Sequence, residues 1–334
     1  MCAEKRRPGR SCPPRYGYSP SVFARAPELG AEVLYVVGGL YGNLPALLEI
    51  ERMAALEAET THIVFNGDFH WFDADPAEFL AIERGVSQHT ALRGNVETEI
   101  ASDDDANGCG CAYPESVPDD AVERSNRILA RLRAAACSAE SEAPGLRQRL
   151  AGLPMHLVAE VAGARVGVVH GDAWALAGWR FAHGALHADD SADRLRGLFE
   201  QAAVDGFASS HTCLPALRFF DTPLGDRFIV NNGAAGMPNF RGERRGVLTR
   251  IAAVPVPPRL HAARLYGGDF SGVYVDALAV HFDAAMWDLR FTRLWPAGSD
   301  AALSYGGRIV DGPEFSLDDA LGRSTPSNGV ALAA

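Results

Sequence analysis

No run of eighteen consecutive apolar residues occurs in the 334-residue chain, so no membrane-spanning helix is expected. The opening stretch, MCAEKRRPGRSCPP, is charged and has no apolar centre, which argues against a secretory signal and makes a cytoplasmic location the expectation. Six irregularly spaced cysteines do not make a disulfide framework, and the close pair Cys109-Gly110-Cys111 reads as two reduced loop thiols. Internal repeats are absent. Excess positive charge is confined to one end. Residues 1–30 carry six basic and two acidic groups, so a net charge of −11 leaves −15 on the remainder. An acidic body repels phosphate backbones and argues against general nucleic-acid binding.

What is present is the patterning of an α/β protein. Residues 1–28, rich in Pro, Arg and Ser, read as a flexible arm whose basic cluster Lys5, Arg6, Arg7 and Arg10 suits an acidic partner. Residues 29–300 read as one domain, with 98–118 as a surface loop beside Asn95, and 301–334 as a partly disordered tail. VLYVV is a buried strand, and Leu44–Glu57 a helix with Pro45 in its first turn. The alternation of strand and helix up to Asn95 predicts a layered βαβ-type domain. MHLVAEVAGARVGVVH is a hairpin turning at Ala162-Gly163, and Asp193–Val204 an amphipathic helix. In MWDLRFTRLW, Trp287, Leu289 and Phe291 alternate with polar residues, which predicts a half-exposed strand.

Four strands end on residues able to hold a metal: THIVFNGD at Asp68, TALRGN at Asn95, ARVGVVH at His170 and DGFASSH at His211. Ligand sites of open α/β sheets lie at the carboxyl ends of strands, so these four are expected to converge. A carboxylate, an amide oxygen and two imidazoles suit Zn, Mn or Fe. The first strand, EVLYVVGGLYGN, has only Gly39 and Tyr41 at its end.

In order, GLYGNLPAL, NGDF, RGNVE, VVHGD and SHTC resemble the motifs of the calcineurin-like metallophosphoesterases, in particular a short bacterial phosphodiesterase branch, from about Val33 to Trp295. The resemblance implies a four-layer α/β/β/α sandwich and hydrolysis of a phosphomonoester or phosphodiester by a metal-activated hydroxide at a two-ion centre. It implies that Asp68 bridges both ions and that Asn95, His170 and His211 complete one of them. The other half is altered, because the family's opening Asp and His are Gly39 and Tyr41 here, and its last His is Cys213. Val96 stands where relatives often carry a proton-donating His. His70, two residues after Asp68, and Cys213 are the candidates for rebuilding the second half, so one or two ions are expected.

The partner so implied is a small phosphate ester, with Arg93 or Arg241 as positions near the motifs that could meet its charge. The alternative is a catalytically inactive protein of the same fold that binds a phosphate or nucleotide ligand, or a protein. For this, the Gly38–Gly42 loop before a helix offers a phosphate cradle. Neither reading fixes the oligomeric state.

Overall fold

The computed structural model describes residues 7–195, 197–270 and 272–323. Twelve strands are described: β1 Leu29–Ala31, β2 Val33–Val37, β3 Thr61–Asn66, β4 Thr90–Leu92, β5 His156–Val161, β6 Ala164–Val169, β7 Gly206–Ser209, β8 Pro215–Thr222, β9 Gly225–Asn232, β10 Gly246–Ala252, β11 Arg264–Phe270 and β12 Val273–Val280. The α-helices are α1 Leu44–Ala54, α2 Pro76–Val86, α3 Asn95–Ala101, α4 Asp119–Ala139, α5 Leu146–Gly152, α6 His183–His187, α7 Ser191–Leu195, α8 Leu198–Ala202, α9 Ala284–Leu294, α10 Asp300–Asp311 and α11 Leu317–Ala320. One six-stranded sheet runs β1-β5-β6-β7-β9-β8 and the other β11-β12-β10-β2-β3-β4.

Side-chain alternation on β2 shows how the sheets are covered. Leu34 and Val36 enter a core between the sheets with Val166, Val168, Phe228 and Val230. Val33, Tyr35 and Val37 face the opposite way, onto Leu47, Ile50, Phe79 and Leu132 of α1, α2 and α4. The far face of the first sheet, through Val158, Phe207 and Ile229, packs on Leu186, Leu195, Leu198 and Phe199 of α6 to α8. Strand period 2 thus buries both faces of each sheet. The result is the expected α/β/β/α sandwich.

Both the hairpin and its turn lie where the sequence places them, with β5 antiparallel to β6 and Ala162 and Gly163 at positive φ. Several expectations need correction. MWDLRFTRLW is not a strand but, up to Leu294, lies in helix α9: Trp287, Phe291 and Leu294 are buried at helical spacing, whereas Leu289 is 73% exposed. Asp283 starts that helix by accepting a bond from the Met286 N–H at 2.9 Å. The helix expected over Asp193–Val204 is split into α7 and α8. The described part of the arm, residues 7–28, is packed rather than free, with Tyr16 and Phe23 wholly buried.

The acidic partner of the basic arm is the chain itself. Arg7 meets Glu115 and Arg10 meets Asp119, while Gly9 donates to the Asn107 carbonyl and accepts from Tyr113 N–H. Lys5 and Arg6 lie outside the described residues. Segment 98–118 is correspondingly no simple surface loop: its start belongs to α3, and Cys109 and Cys111 are buried. The tail also carries structure, in α10 and α11, and residues 324–334 lie outside the described residues.

Candidate metal centre

β3, β4, β6 and β7 all end on one side of the sandwich, and the four residues singled out from sequence meet there. Asp68 follows β3 by two residues, Asn95 opens α3 after β4, His170 follows β6 directly, and His211 follows β7 by two. Glycine before Asp68 and Asn95 has a steric cause. A Cβ on Gly94 would lie 2.2 Å from Asp68 Oδ1, and one on Gly67 2.7 Å from His170 Nδ1. Tyr41, Asp68, His211 and Cys213 all have positive φ, a conformation costly for non-glycine residues and concentrated at functional sites.

Outer hydrogen bonds set which atoms point inward. The His170 Nδ1–H donates to the Asn66 carbonyl at 2.8 Å, which turns Nε2 into the site. The His211 Nε2–H donates to the Cys111 carbonyl at 3.0 Å, which turns Nδ1 inward. Asn95 Nδ2 donates to the Cys109 carbonyl at 3.0 Å, so its Oδ1 faces the same point. From His170 Nε2 the distances are 3.1 Å to Asn95 Oδ1, 3.1 Å to His211 Nδ1 and 3.3 Å to Asp68 Oδ2. Cys-Gly-Cys therefore serves through its carbonyls, and its sequence offered no sign of that.

Four groups with acceptor lone pairs converge on one volume, and only a proton or a metal ion between them removes their mutual repulsion. The proton has a place on His170, whose pKa is raised by Asp68 against the effect of burial. Burial and then His170 lower that of His211 to about 3, so it stays neutral with its lone pair inward. Ligands about 2.1 Å from a tetrahedral ion stand about 3.4 Å apart, close to the observed spacing. Asp68, His170 and His211 are all buried and form a group of metal-ligand type. The donor set fits a divalent ion.

Glu97, passed over in the sequence, holds the frame. Its carboxylate accepts from the N–H groups of Asp68 and Gly94, both at 2.8 Å, and of His70 at 3.2 Å. Burial, with Asp68 next, pushes its pKa up. The capping position three residues into α3 was the available signal.

The opposite half is filled. Tyr41 folds its ring over Gly39, where an added Cβ would meet ring atoms at 2.9 Å, and its hydroxyl lies 2.8 Å from Cys213 Sγ. His70 does not reach this volume. It is buried, stacked on Phe79 with ring centres 3.6 Å apart, and held by Asp73 at 2.5 Å with Glu83 3.5 Å from its other nitrogen. Nor is the glycine loop a free cradle, since the N–H groups of Gly39, Tyr41 and Gly42 donate to the carbonyls of Gly67, Asp68 and Phe69.

A cleft with room of about 30 Å³, enough for one or two waters, reaches Asp68 and His211 between Tyr41, Val96, Cys111 and Cys213. Trp71, Tyr113, Trp179 and Tyr305 form its aromatic wall. Arg308 of α10 lines it as well, whereas Arg241 pairs with Glu314 at the surface and Arg93 donates to the Ala151 carbonyl.

The sequence matches no protein-family model and no curated protein. Among solved structures, a hypothetical protein from Pyrococcus horikoshii OT3 is similar at TM-score 0.52 and 17% identity, over 85% of this chain and 99% of that one. This likeness shows a shared fold. A metallophosphoesterase from Sphaerobacter thermophilus is similar at TM-score 0.47 and 16% identity, over 78% of this chain and 93% of that one. No helix among the described residues is long and apolar enough to cross a membrane.

Proposed function

We propose that the chain holds one divalent ion, Zn, Mn or Fe, on Asp68, Asn95, His170 and His211, and hydrolyses a phosphomonoester or phosphodiester there. The observation that carries this reading is the convergence of four acceptor groups on one buried point, each fixed by a hydrogen bond on its outer side. The motif order supports the phosphate chemistry. An ion so held supplies a Lewis acid and a water of lowered pKa.

The protein's part is orientation. Backbone N–H of Val96 holds Asp68 Oδ1 at 3.1 Å, and Glu97 holds the Asp68 backbone. Val96 has no proton to give a leaving group. Tyr41 keeps its hydroxyl proton on the cleft wall, because burial and then Cys213 push its pKa well up.

A second reading, binding without turnover, is favoured by the small room in the cleft and by the Tyr41 ring in the altered half. Elemental mass spectrometry and hydrolysis of aryl phosphate mono- and diesters separate the two. The expected result is about one ion per chain, lost in His170→Ala and Asp68→Asn. Hydrolysis should fall to background in both variants while the circular dichroism spectrum persists. Bound metal without hydrolysis of any ester favours the second reading, and no bound metal sinks the first.

A further inference from the structure

Arg308 is a cation without a counter-ion in a place where cations are costly. Only 6% of it is exposed, and among the described residues it forms no ion pair. Its Nε donates to the Pro238 carbonyl at 2.9 Å and Nη2 to the Cys213 carbonyl at 2.6 Å. Among the described residues its buried Nη1 has no hydrogen-bond partner. A buried charge is ordinarily paired, and an unpaired buried donor is destabilising. The residue lines the cleft that also reaches Asp68 and His211. With Gly39 on the Tyr41 side, no carboxylate from that strand end faces the cleft to repel an anion.

We infer that Arg308 is the anion-binding residue of this cleft, its incompletely bonded guanidinium donating to a non-bridging oxygen of a phosphate group held opposite Asp68 and His211. This rests on the phosphate-ester reading above and gives that site a fixed positive charge of the chain's own. Two backbone carbonyls orient the guanidinium before any ligand arrives, so binding loses little side-chain freedom. The free room of about 30 Å³ admits a phosphate oxygen in place of a water. Charge-assisted bonds of this kind are about twice as strong as neutral ones.

Calorimetric titration with inorganic phosphate tests the assignment without any need for turnover. Wild-type protein should bind phosphate, and Arg308→Gln should weaken binding by about tenfold or more. Arg308→Lys keeps the charge, yet its single nitrogen cannot occupy the separate Nε and Nη2 positions that anchor the guanidinium on the two carbonyls, so it too should bind more weakly. That variant decides the matter if Arg308→Gln does not fold. No binding by the wild type at millimolar phosphate overturns the inference, as does unchanged affinity in either folded variant. Metal content measured on the same samples separates the two claims. One ion per chain with Arg308-independent phosphate binding leaves the metal reading standing and removes this one. Arg308-dependent binding without metal does the reverse.

Discussion

Tyr41 and Gly39 depend on each other: the phenol ring occupies the volume that any side chain at position 39 would enter. Gly39→Asp alone is therefore expected to lower the thermal midpoint, since ring atoms lie 2.9 Å from the new Cβ and overpacking costs about 1–3 kcal/mol. The triple variant G39D/Y41H/C213H removes the ring and supplies three ligands. It should raise the metal content from about one to about two ions per chain by elemental analysis. At this scale the sequence was informative where function and backbone coincide. Asp68, Asn95, His170 and His211 each sit just past a strand, and strand-end position needs no knowledge of side-chain direction. His70 was misjudged because proximity in sequence says nothing of aim, and Asp73, Phe79 and Glu83 turn it away. Arg308 lies on a distant helix, beyond every motif, and only the fold brings it to Asp68.

Elements show a different limit. Trp287 and Phe291 fit both an alternating strand and an i,i+4 helix face, and only the exposure of Leu289 separates the two. The arm lacked any period because its buried groups, Tyr16 and Phe23, anchor short 3₁₀ turns rather than a long element. Its docking has a pH signature at His156, which opens β5. This ring packs on Tyr18 and Phe23, and its Nδ1 lies 3.2 Å from Arg25, with Glu28 paired to that arginine. Burial and then Arg25 lower the His156 pKa to about 4. In the unfolded chain the ring takes up its proton near pH 6.5. Its contribution to stability is thus present above that pH and is lost as the pH falls from 6.5 through 4. His156→Gln should flatten that portion of the unfolding midpoint against pH, and an unchanged slope would remove this account.

For the molecule as a whole, the cores on both faces of each sheet supply most of the stability, and one buried ionic cluster is set among them. Arg250 of β10 is fully buried and donates to Glu57 at 2.7 and 3.0 Å, with Asp276 3.8 Å away. Tyr35 donates to the same Glu57. Arg250→Met leaves the buried Glu57 carboxylate without its cation, while Asp276 keeps Arg264 at 2.7 Å, and should cost about 3–5 kcal/mol in chemical denaturation. Metal content should stay unchanged in folded protein, because none of these groups lines the cleft. The docked arm also bears on how the chain is made. Synthesis delivers residues in order from the N-terminus, yet Arg10 meets Asp119, Tyr18 donates to the Asp172 carbonyl, and Arg25 lies against His156. Segment 7–28 is thus made before the residues it docks on and finds its place only after they have emerged. A nascent chain halted before His211 would hold only three of the four residues that converge on the candidate site, so that convergence forms only after residue 211 has been made.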